Sequence, residues 1–279
     1  MCRREILSNL PPVKPYLLLL ALALSARGQT LHFGTNLVST GQVVEFSAPL
    51  NAKAAAEVLR AGRSAQFVKG AFFLPPGYTN LSRPCPLLVF SVPSGGAATK
   101  WMSSMTNVAL SEGWALFAAD GPKVEANDDT IQFGWAMLSS ALDQFNRTWP
   151  MTKQWPVACA GFSGGAKRSA AVAAAMMKEN WRVIGVFMGG CNEDRATLGQ
   201  QLFDPPAQFK RVPMFLSNGD RDPIANPHQG TIVQDSMTRS GFTTIRLETY
   251  SGEHQLNQDQ LREALQWFKQ SAGLNRPRR

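Results

Sequence analysis

The pentapeptide Gly161-Phe162-Ser163-Gly164-Gly165 decides how this sequence is interpreted, because it joins a strand-like stretch to a helix-like one. Residues 155–160 are short, apolar and partly β-branched, as in a buried strand. Residues 166–178 are almost wholly good helix formers. Glycines allow a tight, strained turn between strand and helix, and such a turn exposes the serine hydroxyl at the helix N-terminus. The pattern predicts that Ser163 is a nucleophile.

Strand-like and helix-like segments alternate along most of the 279 residues, of which 44% are hydrophobic. Continuous apolar strands between helices predict an α/β fold with a mostly parallel central sheet and helices on both faces. The predicted strands are 67–74, 86–92, 114–119, 155–160, 183–188, 212–217 and 244–250, and residues 54–73 are expected to include an early hairpin. The predicted helices are 100–112, 130–148, 166–178, 231–240 and 258–270, with residues 198–209 mixed. We expect one domain over residues 29–272.

The N-terminal segment, residues 1–28, has the layout of a secretory signal peptide. Basic residues precede a short apolar stretch at 16–24, and small residues follow at Ala26 and Gly28. About nine apolar residues are too few to span a bilayer, so no stable membrane span is expected. The segment predicts a secreted or periplasmic protein.

The positive formal charge of +8 lies mostly outside the expected domain. Removing residues 1–28 takes away four cations and one anion and leaves +5, and three more cations lie in a basic tail, residues 273–279, expected to be flexible. No aromatic–basic motif accompanies this charge, so no nucleic-acid partner is expected.

Three cysteines would remain after removal of the leader: Cys85, Cys159 and Cys191. No cysteine or histidine spacing suggests a metal site, and no cofactor is expected. Cys159 and Cys191 are the best candidates for a disulfide, while buried free thiols are an equal alternative.

A serine nucleophile needs a base, and the base needs a carboxylate to hold its tautomer. In an architecture with such a strand–turn–helix, these groups follow in the order serine, acid, histidine. His254 follows the last predicted strand and precedes the last helix, whereas His32 and His228 are expected at the surface. Asp222 follows the strand at 212–217 and is the predicted acid. The alternative acids are Asp220, expected to brace the loop, and the more remote Asp194.

The oxyanion of an acyl-transfer reaction needs N–H donors already in place. The predicted donors are the backbone amides of Gly164, at the helix N-terminus, and of Gly95 or Gly96, in the loop after the strand at 86–92. Trp101, Trp135 and Phe162 are candidates for an apolar pocket, with the ordinary core as the alternative.

From Phe67 to Phe268 these features resemble the α/β-hydrolase superfamily, and within it small secreted esterases of the poly(3-hydroxybutyrate) depolymerase-like and feruloyl-esterase-like groups. The resemblance implies a triad of Ser163, Asp222 and His254 that cleaves a small-molecule or polymeric ester through an acyl-enzyme. Two departures are Ser94-Gly95-Gly96 in place of a histidine-glycine pair, and a segment before residue 212 too short for a large lid. A serine peptidase and a non-catalytic binding module are the alternatives. The oligomeric state and the substrate stay open.

Overall fold

An eight-stranded sheet forms the centre of the structure, a computed structural model that describes residues 31–121 and 131–274. A short antiparallel pair, β1 (Leu31–Phe33) and β2 (Asn36–Val38), precedes it. The sheet consists of β3 (Val43–Pro49), β4 (Phe67–Phe73), β5 (Leu87–Ser91), β6 (Ala115–Ala119), β7 (Pro156–Phe162), β8 (Arg182–Gly189), β9 (Met214–Gly219) and β10 (Ile245–Tyr250). Side by side the order is β10-β9-β8-β7-β5-β6-β4-β3, and β4 runs antiparallel to both of its neighbours. All other pairs are parallel, which confirms the predicted mostly parallel sheet.

Helices cover both faces of this sheet, as predicted. The α-helices of the described residues are α1 (Ala52–Arg60), α2 (Ala98–Glu112), α3 (Ile131–Thr148), α4 (Gly164–Lys178), α5 (Ala196–Phe203), α6 (Pro227–Arg239) and α7 (Gln258–Ser271). On one face α2 packs against α7, and on the other α3 and α4 pack together and against α1 and α5. Two hydrophobic clusters result, one on each side of the sheet. Because helices cover both faces, every residue of β5, β6 and β7 is buried, which explains their continuous apolar sequences.

The predicted hairpin within residues 54–73 is wrong. Residues 52–60 form α1, since their sequence Ala-Lys-Ala-Ala-Ala-Glu-Val-Leu-Arg is rich in helix formers and the Asn51 side chain accepts a hydrogen bond from the Ala54 amide. The outer partner of β4 is instead β3, which precedes α1. Residues 198–209, predicted as mixed, are the end of α5 followed by a 3₁₀ turn at Ala207–Arg211.

Helix α6 begins at Pro227, four residues before the predicted start. Asn226 and Gln229 form a reciprocal capping box, and proline occupies the first helical turn, where its missing N–H costs nothing. This early start shortens the loop that carries Asp222, which lies only five residues before the helix.

The central strands have their carboxyl ends in register with one another. Ser91, the last residue of β5, is in register with both Ala119 of β6 and Gly161 of β7, and Gly161 is in register with Met188 of β8. Loops that follow these strands therefore meet at one edge. Only α5 and the 3₁₀ turn separate β8 from β9, and α5 packs beside α4, so no large lid is inserted there, as predicted.

The three cysteines of the described chain are buried free thiols. Cys159 and Cys191 are therefore not joined by the disulfide that was one of the two expectations. Burial raises the pKa of all three thiols, to about 12 for Cys85 and about 11 for Cys191. These thiols stay protonated near neutral pH and are poor nucleophiles.

Two predictions concern parts of the chain outside the described residues. The signal peptide at 1–28 lies there entirely, and the basic tail lies there from residue 275 onward. Within the described ranges, none of the helices combines the length and the apolar character that crossing a bilayer requires.

Candidate active site

Ser163 lies in a strained turn between β7 and α4. Its backbone angles are φ 54° and ψ −122°, a conformation that residues other than glycine rarely adopt. The Ser163 amide donates a hydrogen bond to the Gly189 carbonyl at 2.8 Å, which ties the turn to the end of β8. Helix α4 starts at the next residue, so the serine lies at a helix N-terminus. This is the geometry that the sequence around Ser163 predicts.

Close backbone contacts explain two of the glycines in this turn. A Cβ at Gly161 would lie 2.1 Å from the Gly165 carbonyl oxygen, and a Cβ at Gly165 would lie 2.0 Å from the Ser91 carbonyl oxygen. Both distances are far below van der Waals contact. At Gly164, in contrast, an added Cβ meets no atom within 4 Å. The turn therefore requires glycine at 161 and 165 but leaves open space at 164.

This difference predicts opposite outcomes for two alanine substitutions. Gly165→Ala must push β5 and α4 apart, so we expect a loss of at least about 2 kcal/mol in the free energy of unfolding. Gly164→Ala, the matched control, should change stability by less than about 1 kcal/mol, because alanine suits a helix better than glycine does. Urea unfolding of both variants measures this difference. Equal stability of the two would contradict the contact between Gly165 and β5.

Asp222 and His254 form a hydrogen-bonded pair. His254 Nδ1 lies 2.7 Å from Asp222 Oδ2, and Asp222 Oδ1 accepts hydrogen bonds from the amides of Ile224 and Ala225 at 2.7 and 2.8 Å. Burial of the aspartate opposes ionisation, but the bonds from Ala225, His254 and Ile224 outweigh it and hold the pKa of Asp222 below its ordinary value. The ionised carboxylate therefore accepts from Nδ1–H, and Nε2 is left as the proton acceptor of the imidazole.

His254 Nε2 is buried and has no hydrogen-bond partner among the described residues. The imidazole packs against the ring of Phe162, the residue before Ser163, with 4.7 Å between ring centroids. Gly190, next to the carbonyl that holds the Ser163 amide, lies under the same two rings, since an added Cβ would be 2.9 Å from His254 and 3.1 Å from Phe162. The imidazole that carries this nitrogen thus packs against residues next to the turn at Ser163.

The other titratable candidates have structural contacts instead. Asp220 accepts a hydrogen bond from the Gly252 amide at 2.8 Å and bonds no histidine, so it braces the loop as predicted. Asp194 caps α5 through the amides of residues 196 and 197. His32 and His228 are exposed. Of the predicted acids and bases, only Asp222 and His254 pair with each other.

The two predicted oxyanion loops differ in the amides that they leave available. In the turn after β5 the Gly96 amide donates to the Pro93 carbonyl at 2.9 Å, whereas the Gly95 amide has no acceptor among the described residues. Gly95 has φ 73°, so glycine is needed to form this turn. The Gly164 amide also lacks an acceptor in the described chain. Of the two predicted second donors, Gly95 is therefore the one whose amide is not already hydrogen-bonded within the described residues.

One of the three aromatic candidates, Phe162, packs on His254, and a second, Trp101, packs on Phe162. The ring of Trp101 is 5.4 Å from that of Phe90 and 5.8 Å from that of Phe162, which itself contacts the histidine. Trp135 belongs to the hydrophobic cluster on the opposite face of the sheet. Trp101 and Phe162 thus belong to the hydrophobic cluster on the His254 side of the sheet, and both Phe162 and Trp135 are buried as core residues are.

No protein-family model matches the sequence, and no curated protein matches it. Solved structures do match. One of them is a serine hydrolase without a lid from Xanthomonas campestris, with 15% sequence identity and a TM-score of 0.54. The match includes 87% of this chain and 100% of that one. The chain has the α/β-hydrolase fold.

Other proteins with the α/β-hydrolase fold match at similar levels. The S-formylglutathione hydrolase of Staphylococcus aureus has 11% identity and a TM-score of 0.55, with 83% of this chain covering 98% of that one. A dipeptidyl aminopeptidase IV-like protein of Bacteroides ovatus has 14% identity and a TM-score of 0.53; 82% of this chain matches it, and the match spans 36% of its length. At such identities the likeness establishes the fold and not the substrate.

Two residues of the site were not predicted from the sequence. Gly190 follows a strand as half of a Gly-Gly pair, a signal that could have indicated close packing, and its φ of 60° and its contact with His254 explain the glycine. Arg168 lies in a helix of small residues and is only 6% exposed. Burial of an arginine in this helix could not be predicted from the local sequence, because two of its acceptors, Val92 and Ser94, lie more than 70 residues away in the chain.

Proposed function

We propose that the protein is an exported serine hydrolase that cleaves carboxylic esters through an acyl-enzyme on Ser163. The observation that carries this proposal is the Asp222–His254 pair. The pair favours the tautomer in which the buried, unpartnered Nε2 can accept a proton, and the imidazole packs on Phe162, the residue before the strained Ser163. A core histidine held for packing alone would gain nothing from an unpartnered buried nitrogen, which costs free energy.

In the proposed acylation step, Ser163 Oγ attacks the ester carbonyl carbon and its proton passes to His254 Nε2. The negative charge that develops on the carbonyl oxygen is stabilised by the amides of Gly164 and Gly95. The C–O bond to the alcohol then breaks, and the Nε2 proton passes to the leaving oxygen. Asp222 stays ionised and stabilises the imidazolium that forms between the two transfers.

In the proposed deacylation step, water takes the place of the alcohol. Nε2 accepts a proton from this water as its oxygen attacks the acyl carbon. Collapse of the second tetrahedral intermediate breaks the bond to Ser163 Oγ, which regains its proton from the imidazolium. The products are the carboxylic acid and the free enzyme, so no cofactor is needed.

The surroundings of Ser163 support an ester with an apolar portion. Trp101, which is partly exposed, packs on Phe162 on the side of His254 and supplies apolar surface there. Between β8 and β9 there is no large insertion to enclose the substrate, which suits small and polymeric esters alike. A serine peptidase is the second candidate, since a dipeptidyl aminopeptidase IV-like protein is among the similar structures. A non-catalytic binding module is the third.

Labelling and turnover distinguish the three candidates. A fluorophosphonate probe should label the purified protein on the peptide that contains Ser163, and p-nitrophenyl butyrate should be hydrolysed far faster than peptidyl p-nitroanilides. Labelling with faster anilide cleavage would favour the peptidase. Absence of labelling and of ester turnover would favour the binding module and refute the esterase.

Export is part of the proposal and has its own measurement. Cleavage before Gln29 would leave the first described strand, at Leu31, at the very start of the mature chain. Expressed with its own leader, the protein should be recovered outside the cytoplasm with Gln29 at its N-terminus, as read by mass spectrometry. An Ala26→Arg variant, which blocks the small-residue site, should keep the leader attached. Cytoplasmic, uncleaved wild-type protein would refute export.

A further inference from the structure

A buried arginine connects the two loops that carry the proposed oxyanion donors. Arg168, on the second turn of α4, donates to the Val92 carbonyl through Nη2 at 2.8 Å and to Ser94 Oγ through Nη1 at 3.1 Å. Val92 and Ser94 lie directly before Gly95 in the turn after β5. The helix that begins with the Gly164 amide is thereby hydrogen-bonded to the turn that presents the Gly95 amide.

The residues around the Arg168 side chain leave space for it. On α3, a Cβ at Gly134 would come within 3.0 Å of Arg168 Cδ, so a side chain at that position would crowd the arginine. Beside the guanidinium lies a cavity of about 20 Å³ lined by Arg168 and Ser91, enough for about one water molecule. The hydroxyl of Ser91 is buried there without a partner among the described residues. Arg168 thus lies in a buried polar cluster with room for about one water molecule.

The chemistry of the contact favours arginine over any other residue. A guanidinium presents several N–H donors in one plane and can bond two acceptors at a fixed separation, whereas an ammonium is a point charge on a flexible stem. Charge-assisted bonds are stronger than neutral ones, and more so away from water. Loss of the guanidinium would leave the Val92 carbonyl without this donor and free the turn to shift.

We propose that Arg168 is a positioning residue that sets the separation between the Gly164 and Gly95 amides and thereby the stabilisation of the oxyanion. It does not touch substrate and acts through the turn after β5. This inference rests on the proposed function, since it assigns a role within the same site. Its consequence is a defect confined to the transition state and not to the binding of substrate.

The test compares Arg168→Met and Arg168→Lys with Lys167→Met, a matched control on the same helix whose ammonium pairs with Glu193 at 3.3 Å. With p-nitrophenyl butyrate, kcat of Arg168→Met should fall about 10- to 100-fold, less than for outright loss of a donor, while KM changes less than threefold. Arg168→Lys, the better tolerated variant, should fall in between. Lys167→Met should match the wild type, and the pH midpoint of kcat/KM should stay the same in all variants because the base is untouched.

Phenylboronic acid provides a readout that a purely structural role would not move, since its tetrahedral adduct with a serine places an oxygen in the oxyanion hole. Its Kd should rise in Arg168→Met by the same factor as kcat falls, and Ser94→Ala should show a smaller rise that is not additive with Arg168→Lys. Folded Arg168 variants with unchanged kcat and boronate affinity, differing only in Tm, would overturn the inference and leave the esterase proposal intact. A wild type that forms no adduct and is not inhibited would overturn both.

Discussion

Ser163→Ala is expected to lower kcat for p-nitrophenyl butyrate by about 10⁵- to 10⁶-fold, the loss typical of removing a serine nucleophile. Without Oγ no acyl-enzyme can form, and the remaining oxyanion donors and substrate contacts give only weak residual catalysis. The strained backbone at 163 would be kept, because alanine has the same Cβ as serine. Stopped assays at high enzyme concentration, together with fluorophosphonate labelling, measure the loss.

A buried serine on the same helix provides the control for Ser163→Ala. Ser169, on the same helix, is fully buried and donates its hydroxyl to the Ala166 carbonyl at 2.7 Å. Ser169→Ala should therefore cost some stability but leave kcat within about threefold of the wild type. Substantial ester turnover by Ser163→Ala, above the level of a mock preparation, would remove Ser163 from the mechanism.

Asp222→Asn is expected to lower kcat by about 10⁴-fold through the wrong imidazole tautomer. Asp222 Oδ1 is held by the amides of Ile224 and Ala225, so the asparagine oxygen should stay on that side and its NH₂ should face His254 Nδ1. Nδ1 would then have to accept a hydrogen bond, and Nε2 would carry the proton. Such an imidazole cannot take the proton of Ser163.

Asp220→Asn is the matched control for this substitution. Its carboxylate accepts the Gly252 amide and lies 3.4 Å from the guanidinium of Arg221, both of which concern the loop and not the histidine. An exposed ion pair contributes little, so kcat should stay within about fivefold of the wild type. If Asp220→Asn lost more activity than Asp222→Asn, the assignment of the acid would be reversed.

The sheet and the turn at Ser163 could be predicted because the sequence patterns that indicate them are local. Strands covered on both faces have continuous apolar sequences, and the strand–turn–helix at Ser163 needs glycines at defined positions. The order serine, acid, histidine is typical of this architecture, and the positions of Asp222 and His254 after predicted strands selected them as partners of Ser163. In the structure Asp222 Oδ2 lies 2.7 Å from His254 Nδ1, as expected for an acid that orients a histidine. Their catalytic roles stay predictions.

The features that could not be predicted from the sequence depend on contacts between distant residues or on a helix N-cap. The hairpin predicted near residue 54 is wrong because residues 52–60 are rich in helix formers and Asn51 caps the helix that they form. Gly95 and Gly96 are equivalent in the sequence, and only the turn hydrogen bond to Pro93 tells them apart. The role of Arg168 depends on acceptors 74 and 76 residues away, which no local pattern encodes.

The open space at Gly164 offers a route to altering acyl-chain selectivity. Side chains added there would project from the first residue of α4, next to the serine, without displacing any neighbouring atom near their Cβ. The backbone amide proposed as a donor would remain in place. Valine, leucine and phenylalanine at 164 should add increasing bulk next to Ser163 and shift the preferred ester toward shorter acyl chains, while the flanking glycines keep the fold of the turn unchanged.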